Sequence, residues 1–315
     1  MTFSIGTAVG SGFTLVGRRP LSVVSWGFFV YLALFVLFGV GVAIVGLPAL
    51  SQLGSLGNAQ ADPSAASRIV LAMFLALWPA MLLVMIGSIF VGVMVQGAVF
   101  RSILEPDHKA FFSLRFGPAE VALLLLLLLY IPVFIVAWLV SAVVVGGLVF
   151  AAHEIHGFLG GFVAFIGCVA YALAFMWIAL RFSLAGPMTF AERRVRFFGS
   201  WTLTQGQGWR LFGLAWLLVL VWIAVSIGYS IVSAIINLLF TGAAMASILA
   251  ASGGSAGLSD PNTLATHWPL LLLAYLPTFI LGAAFNGIIQ AIGQGPWAEV
   301  YRELKGSPEV AATFT

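Results

Sequence analysis

The chain has 315 residues, 62% of them hydrophobic and only 7% charged, with a formal net charge of +3. Soluble domains carry about a quarter charged residues and just under half apolar ones, so these proportions exclude a water-soluble globular fold and leave lipid as the solvent. A single cysteine, Cys168, lies within the apolar run GFVAFIGCVAYALAF, which excludes a disulfide framework and a thiolate metal cluster.

Near its start the chain reads FSIGTAVGSGFTLVGRRP (3–20), which places Ile5, Val9, Phe13 and Val16 on one side of a short surface helix. Residues 1–17 carry no side-chain charge, and Arg18-Arg19 precedes Pro20 and an apolar run of much greater length than the about 7–15 residues of a signal-peptide core. The arginine pair is therefore expected to be a topology anchor and not part of a cleaved leader.

A helix crossing the hydrocarbon core needs about 20 apolar residues. Six segments qualify: 21–49, 69–100, 121–150, 157–180, 211–238 and 269–295. They lack the period-2 alternation of a barrel strand, and only helices or closed barrels satisfy their backbone in lipid. The predicted fold is an all-α integral membrane protein, a six-helix transmembrane bundle, with short amphipathic interfacial helices on the cytoplasmic side. The whole chain, 1–315, reads as one membrane domain. Pro79, Pro132 and Pro277 fall inside the second, third and sixth spans and predict a kink in each. The fifth apolar run continues to Ala250, roughly 60 Å of helix at about 1.5 Å per residue. Its tail, LFTGAAMASILA, is expected to form a separate interfacial helix or a protruding end.

Basic residues decide orientation. Arg18, Arg19, Arg101, Lys109, Arg115, Arg181, Arg193, Arg194, Arg196, Arg210, Arg302 and Lys305 lie on one side of the six spans, and only Arg68 on the other. By the positive-inside rule both termini are cytoplasmic. AAHEIHGF (151–158) is then the short outer turn between the third and fourth spans. His153, Glu154 and His156 have the wrong spacing for a zinc-protease helix, which needs two histidines one turn apart around a catalytic Glu. With His267, Asp260 and Asp62 on the same side, a loose metal site is the alternative to a polar rim. The rim is the reading adopted, and no metal, cofactor or nucleic-acid partner is expected.

Each returning span ends on an aromatic or leucine followed by arginine: VFRSIL, ALRFSL and VYRELK, with Arg101, Arg181 and Arg302. This is the mark either of three related hairpins or of arginines placed at cytoplasmic helix ends. Between the fourth and fifth spans, GPMTFAERRVRFFGSWTLTQGQGWRLFG (186–213) contains two capping-box patterns, Thr189 with Glu192 and Thr204 with Gln207, and so predicts two helix starts. The first helix would set Phe190, Phe197, Phe198 and Trp201 against Arg193, Arg196 and Ser200, the layout of a helix lying in the membrane surface. Arg193, Arg194, Arg196, Trp201 and Arg210 are the candidate contacts to anionic headgroups or to a membrane-protein partner. In GPAEVALL, Pro118 occupies a first helical position, and Glu120 is favourable near the helix N-terminus without any catalytic role.

Within the spans, small residues recur every four positions: Gly160, Ala164, Cys168 and Ala172 in the fourth, and Ala283, Gly287, Ala291 and Gly295 in the sixth. Such stripes let helices approach closely. Asn286, Gln290 and Gln294 run beside the second stripe, and Gln96 and Asn237 lie in other spans. These amides either hydrogen-bond between helices or line a pathway. No Asp, Glu, Lys or Arg lies well inside a span, which argues against an ion-coupled transporter.

FFSLRFGPAE, RFSLAGPMTFAERRVRFFGSWTLTQGQGWRLFGLAW and AEVYRELKG resemble a family of multi-span bacterial inner-membrane proteins. That family is labelled as the membrane domain of glycerophosphoryl diester phosphodiesterase and is akin to YciC-like envelope proteins. The likeness covers most of the chain and is carried by Trp201, Trp209, Arg210, Tyr301 and Arg302. It implies a bacterial inner-membrane location. It does not imply the enzyme activity, because the label derives from chains in which such spans precede a metal-dependent catalytic barrel, and the polar connection 181–210 is too short to hold one. The expectation is a non-catalytic inner-membrane protein serving envelope or lipid homeostasis through cytoplasmic-face lipid or partner contacts. The alternative is a permease or lipid-translocating protein using the polar stripe of the sixth span.

Overall fold

The computed structural model describes residues 3–41, 43, 63–106, 113–154, 158–251 and 261–306. Among them every regular element is helical: α1 Ile5–Arg18, α2 Pro20–Gly41, α3 Pro63–Leu104, α4 Pro118–Glu154, α5 Phe158–Arg181, α6 Ala185–Glu192, α7 Gly199–Leu203, α8 Gly208–Ile236, α9 Ala243–Ala251 and α10 Pro261–Lys305. Six helical stretches are long and apolar enough to cross a membrane. The all-α bundle expected from the sequence is the fold observed. Lys109, Asp62, Asp260 and His156 lie outside the described residues.

The helices exceed the predicted spans at most of their described ends, because the turns flanking the apolar runs remain helical. α3, α4 and α10 continue through Pro79, Pro132 and Pro277. The tail of the fifth run does not form a separate surface helix. α8 passes through a π-helical turn, Asn237–Gly242, directly into α9. The wider turn keeps the backbone hydrogen bonding that lipid demands.

The chain divides into two compact units. The first comprises Met1–Arg18, Gln96–Val221 and Ala291–Thr315. Its core joins Phe3, Ala8 and Val9 to Leu180, Leu184, Leu211, Leu214 and Val300. α1 therefore buries Ala8, Val9, Gly12 and Leu15, a face rotated from the expected Ile5, Val9, Phe13, Val16 side: Val9 is shared, Ile5 and Val16 are half-buried and Phe13 is exposed. Gly12 explains the rotation: it lies against the backbone of Ile292, and Gly295 lies against Gly12 in turn. α1 is packed by the small-residue stripe of α10. In the same unit α4 and α5 form an antiparallel pair, with Tyr130 opposite Phe182, a hydroxyl contact between Ser141 and Tyr171, and Leu148 over Gly167. The predicted stripe on α5 contributes only in part. Gly160 is buried and Cys168 half-buried, whereas Ala172 faces outward.

The second unit comprises Arg19–Val95 and Trp222–Gln290. α2 and α3 run antiparallel, with Gly41 on Ala80 and Leu37 on Gly87. α8 and α10 do the same, with Tyr229 stacked on Phe285 at 4.0 Å and Thr278 bonded to Asn237. α2 and α10 then meet backbone to backbone. A Cβ at Gly27 would fall on the carbonyl oxygen of Ala283, and one at Gly287 on that of Val23. The three sequential hairpins and the α10 stripe are as the spacing of apolar and small residues implies.

This contact yields a sharp expectation. Gly27→Ala and Gly287→Ala each force two backbones apart, and each is expected to destabilise by at least about 3 kcal/mol, the upper end for overpacking. Gly228→Ala, with nothing within 4 Å of its Cβ, is expected to be neutral or to stabilise by up to about 1 kcal/mol through helix propensity. Thermal unfolding of the detergent-purified variants checks the contrast.

Candidate functional site

Basic residues converge at one end of the first unit, and among those described Arg101, Arg181, Arg210 and Arg302 donate to main-chain carbonyls. At the end of α3, Arg101 is 6% exposed. It donates to the Ser113 carbonyl and to the Glu120 carboxylate, and it lies over the Phe190 ring at 5.5 Å. Glu120, with no exposed surface, also accepts the Gly117 N–H at 2.9 Å and so caps its own helix. The room for it is made at Gly97, where a Cβ would press on the carboxylate. Glu120 is the favourable helix-start charge expected from the sequence, and it is in addition paired with Arg101. A charge that is removed from water and left without a partner costs several kcal/mol, so each of the two requires the other.

Arg181, at the end of α5, donates to the Thr204 carbonyl at 2.6 Å, and its own carbonyl accepts the Ser200 hydroxyl at 2.7 Å. Its guanidinium sits between the rings of Trp177 (5.1 Å) and Trp201 (5.6 Å). Arg210 donates to the Phe3 carbonyl at 3.0 Å, and Arg302 to the Ile103 carbonyl at 3.2 Å and to Glu299 at 2.6 Å. Lys305 bonds Glu192 at 3.0 Å, and the Ser4 N–H donates to Glu303 at 2.8 Å. These contacts bring the end of α3, the starts of α4 and α8, the end of α5 and the last turn of α10 to the same place.

The segment between α5 and α8 differs from its prediction. α6 starts at Ala185 without a side-chain cap, so Thr189 lies within the helix and does not begin it. Its hydroxyl oxygen accepts the Arg196 N–H at 3.2 Å. Thr204 likewise closes α7, donating back to the Ser200 carbonyl at 2.9 Å, and does not open α8. Nor do the aromatic residues share one face. Arg193 adopts a left-handed backbone (φ 53°) that terminates α6, and helix resumes only at Gly199. Phe190 and Phe197 turn inward, with Phe197 stacked on Phe182 at 4.4 Å, while Phe198 is 76% and Trp209 79% exposed. Capping-box spacing misled here because both threonines find main-chain partners in the preceding or following turn.

Of the five surface candidates, Arg210 is committed to Phe3 and Trp201 to Arg181. Arg196 is exposed but paired with Glu192 at 2.8 Å. Arg193 is exposed, 3.8 Å from Glu105, and Arg194 is exposed beside it. The intramembrane amides separate into local pairs. Gln96 donates to Gln294 at 3.3 Å in the first unit. In the second, Asn237 donates to the Ser233 carbonyl at 2.9 Å and accepts from Thr278 at 3.3 Å. Gln290 is half-buried, and the Asn286 side-chain oxygen is buried without a partner among the described residues. His153 is exposed at the end of α4, and the described residues contain no group of three or more potential metal ligands. No family model, curated protein or solved structure matches the chain.

The buried pair sets a further expectation. Glu120→Ala leaves Arg101 uncompensated and is expected to cost about 3–5 kcal/mol, read as loss of thermal stability in detergent. Combining Arg101→Met with Glu120→Leu is expected to recover part of that loss, because neither charge is then stranded.

Proposed function

We infer that this is a non-enzymatic, multi-pass protein of the bacterial cytoplasmic membrane that serves envelope or lipid homeostasis by engaging anionic headgroups at its arginine-bearing end. The observation that carries this reading is the surface at the α6–α7 turn. Arg193 and Arg194 are exposed there, and Phe198 projects outward a few residues on. Basic side chains next to exposed aromatic rings suit the interface between headgroups and acyl chains. Arg101, Arg181, Arg210 and Arg302 are occupied with main-chain carbonyls, which narrows the headgroup contact to Arg193 and Arg194, with Arg196 in support. On this reading both termini face the cytoplasm, and the sparse charge inside the spans reflects a protein that binds lipid without performing chemistry on it. The permease alternative draws less support, since Gln96, Gln294 and Asn237 hydrogen-bond to side chains of other helices.

The test uses Arg193→Asn with Arg194→Gln, asparagine being chosen because it tolerates a left-handed backbone. Each basic side chain near an anionic surface is worth about 1 kcal/mol, so affinity for phosphatidylglycerol is expected to fall roughly 25-fold. Native mass spectrometry of the intact protein with graded phosphatidylglycerol and phosphatidylcholine measures it. Equal retention of phosphatidylglycerol by the native and doubly substituted proteins would reject the assignment.

A further inference from the structure

The first unit contains a cavity of about 690 Å³ between α4 and α5, closed at one end by α3, α6 and α10. Its size is within the roughly 300–1,000 Å³ range of small-molecule sites. The outer wall consists of apolar side chains that face away from the bundle: Phe134 is 67% exposed and Ile178 49%. In a chain built of membrane-length apolar helices, such a mouth opens onto hydrocarbon. The inner end is different, because Gln96, Gln294, Tyr130 and Ser183 line it.

The hydrogen-bond accounting at that end defines what fits. Tyr130 donates its hydroxyl to the Phe182 carbonyl at 3.0 Å, and Ser183 donates to the Leu180 carbonyl at 2.8 Å. Gln96 gives an amide N–H to the Gln294 oxygen. Among the described residues this leaves the Gln96 oxygen as an acceptor and the Gln294 amide, the second Gln96 N–H and the Trp297 indole N–H as donors, all on residues that line the cavity. A polar amide facing hydrocarbon without a partner costs roughly 2–7 kcal/mol. Among the described residues, no charged side chain lines the cavity. Arg101 and Glu120, which lie near this end, neutralise each other. A phosphate brought to the inner end would lose water, and none of the described lining residues is a cation that would replace it.

We propose that this groove binds diacylglycerol, an uncharged glycerolipid, with one acyl chain between α4 and α5 and its glycerol end at the Gln96–Gln294 pair. The free hydroxyl of the lipid donates to the Gln96 oxygen, and an ester carbonyl accepts from the Gln294 amide. The acyl chain enters sideways from the bilayer past Phe134 and Ile178. This site is separate from the surface arginines and does not depend on them.

The full-length protein in nanodiscs, photolabelled with a dioleoylglycerol analogue carrying a diazirine on one acyl chain, tests this. Mass-spectrometric mapping is expected to concentrate the label on 123–137 and 175–187, with excess unlabelled dioleoylglycerol competing and excess phosphatidylglycerol not. Gln294→Leu is expected to reduce groove labelling about tenfold, the equivalent of one hydrogen bond of roughly 1.4 kcal/mol. Ile178→Trp, which fills the mouth from a half-exposed position and leaves the amides intact, is expected to abolish it even if Gln294→Leu fails to fold. The Arg193→Asn, Arg194→Gln protein is expected to label as the native protein does. Label spread evenly over the lipid-facing helices, equal competition by phosphatidylglycerol, unchanged labelling in Ile178→Trp, or loss of labelling with the arginines would each overturn the proposal.

Discussion

Main-chain carbonyls at the ends of helices govern this structure. Inside a span the helix satisfies its own backbone, but the last carbonyls of each helix and the turns beyond it have no such partner. Here guanidinium groups supply it. Arg101 holds Ser113, Arg181 holds Thr204, Arg210 holds Phe3 and Arg302 holds Ile103. Arg101 and Arg181 tie helix ends to the connections that follow, 12 and 23 residues on, whereas Arg210 and Arg302 join segments about 200 residues apart, and together they give one end of the first unit a fixed arrangement.

That role changes how the positive charge is understood. A count of basic residues treats them all as topology anchors equally available to an anionic surface. Geometry divides them into arginines that serve as struts, such as Arg101 with its carboxylate and ring partners, and those that project outward, such as Arg194. Arginine suits the first task because its planar fork offers several donors at once and stays charged when partly buried. The same residue type thus occupies two environments in one unit, and only the hydrogen-bond partners distinguish them.

The bundle was legible because its signals are long-range averages. Six apolar runs and the Ala283–Gly287–Ala291–Gly295 stripe each draw on several helical turns, and the structure agrees with them. Features set by a single residue were not legible. The left-handed Arg193 breaks what looked like one amphipathic helix, and Gly12 turns α1 by fitting against Ile292. A threonine followed three residues later by Glu or Gln has the same spelling whether it opens a helix or lies inside one. The cavity was invisible for a related reason. Gln96 and Gln294 are 198 positions apart, and nothing local in either helix announces that they share a wall with Tyr130.

The backbone contact between Gly27 and Gly287 joins positions 260 residues apart. A ribosome adds about 5–20 residues per second, so α2 waits roughly ten to fifty seconds for the helix that completes its packing. During biogenesis the small-residue face of α2 must therefore rest against lipid or insertion machinery, with its hairpin partner α3 as the first native neighbour to arrive. Final compaction of the second unit is a late event that is gated by translation of α10. Any codon change or pause that delays α10 lengthens the interval in which α2 is exposed to membrane quality control, without altering a single contact in the finished protein.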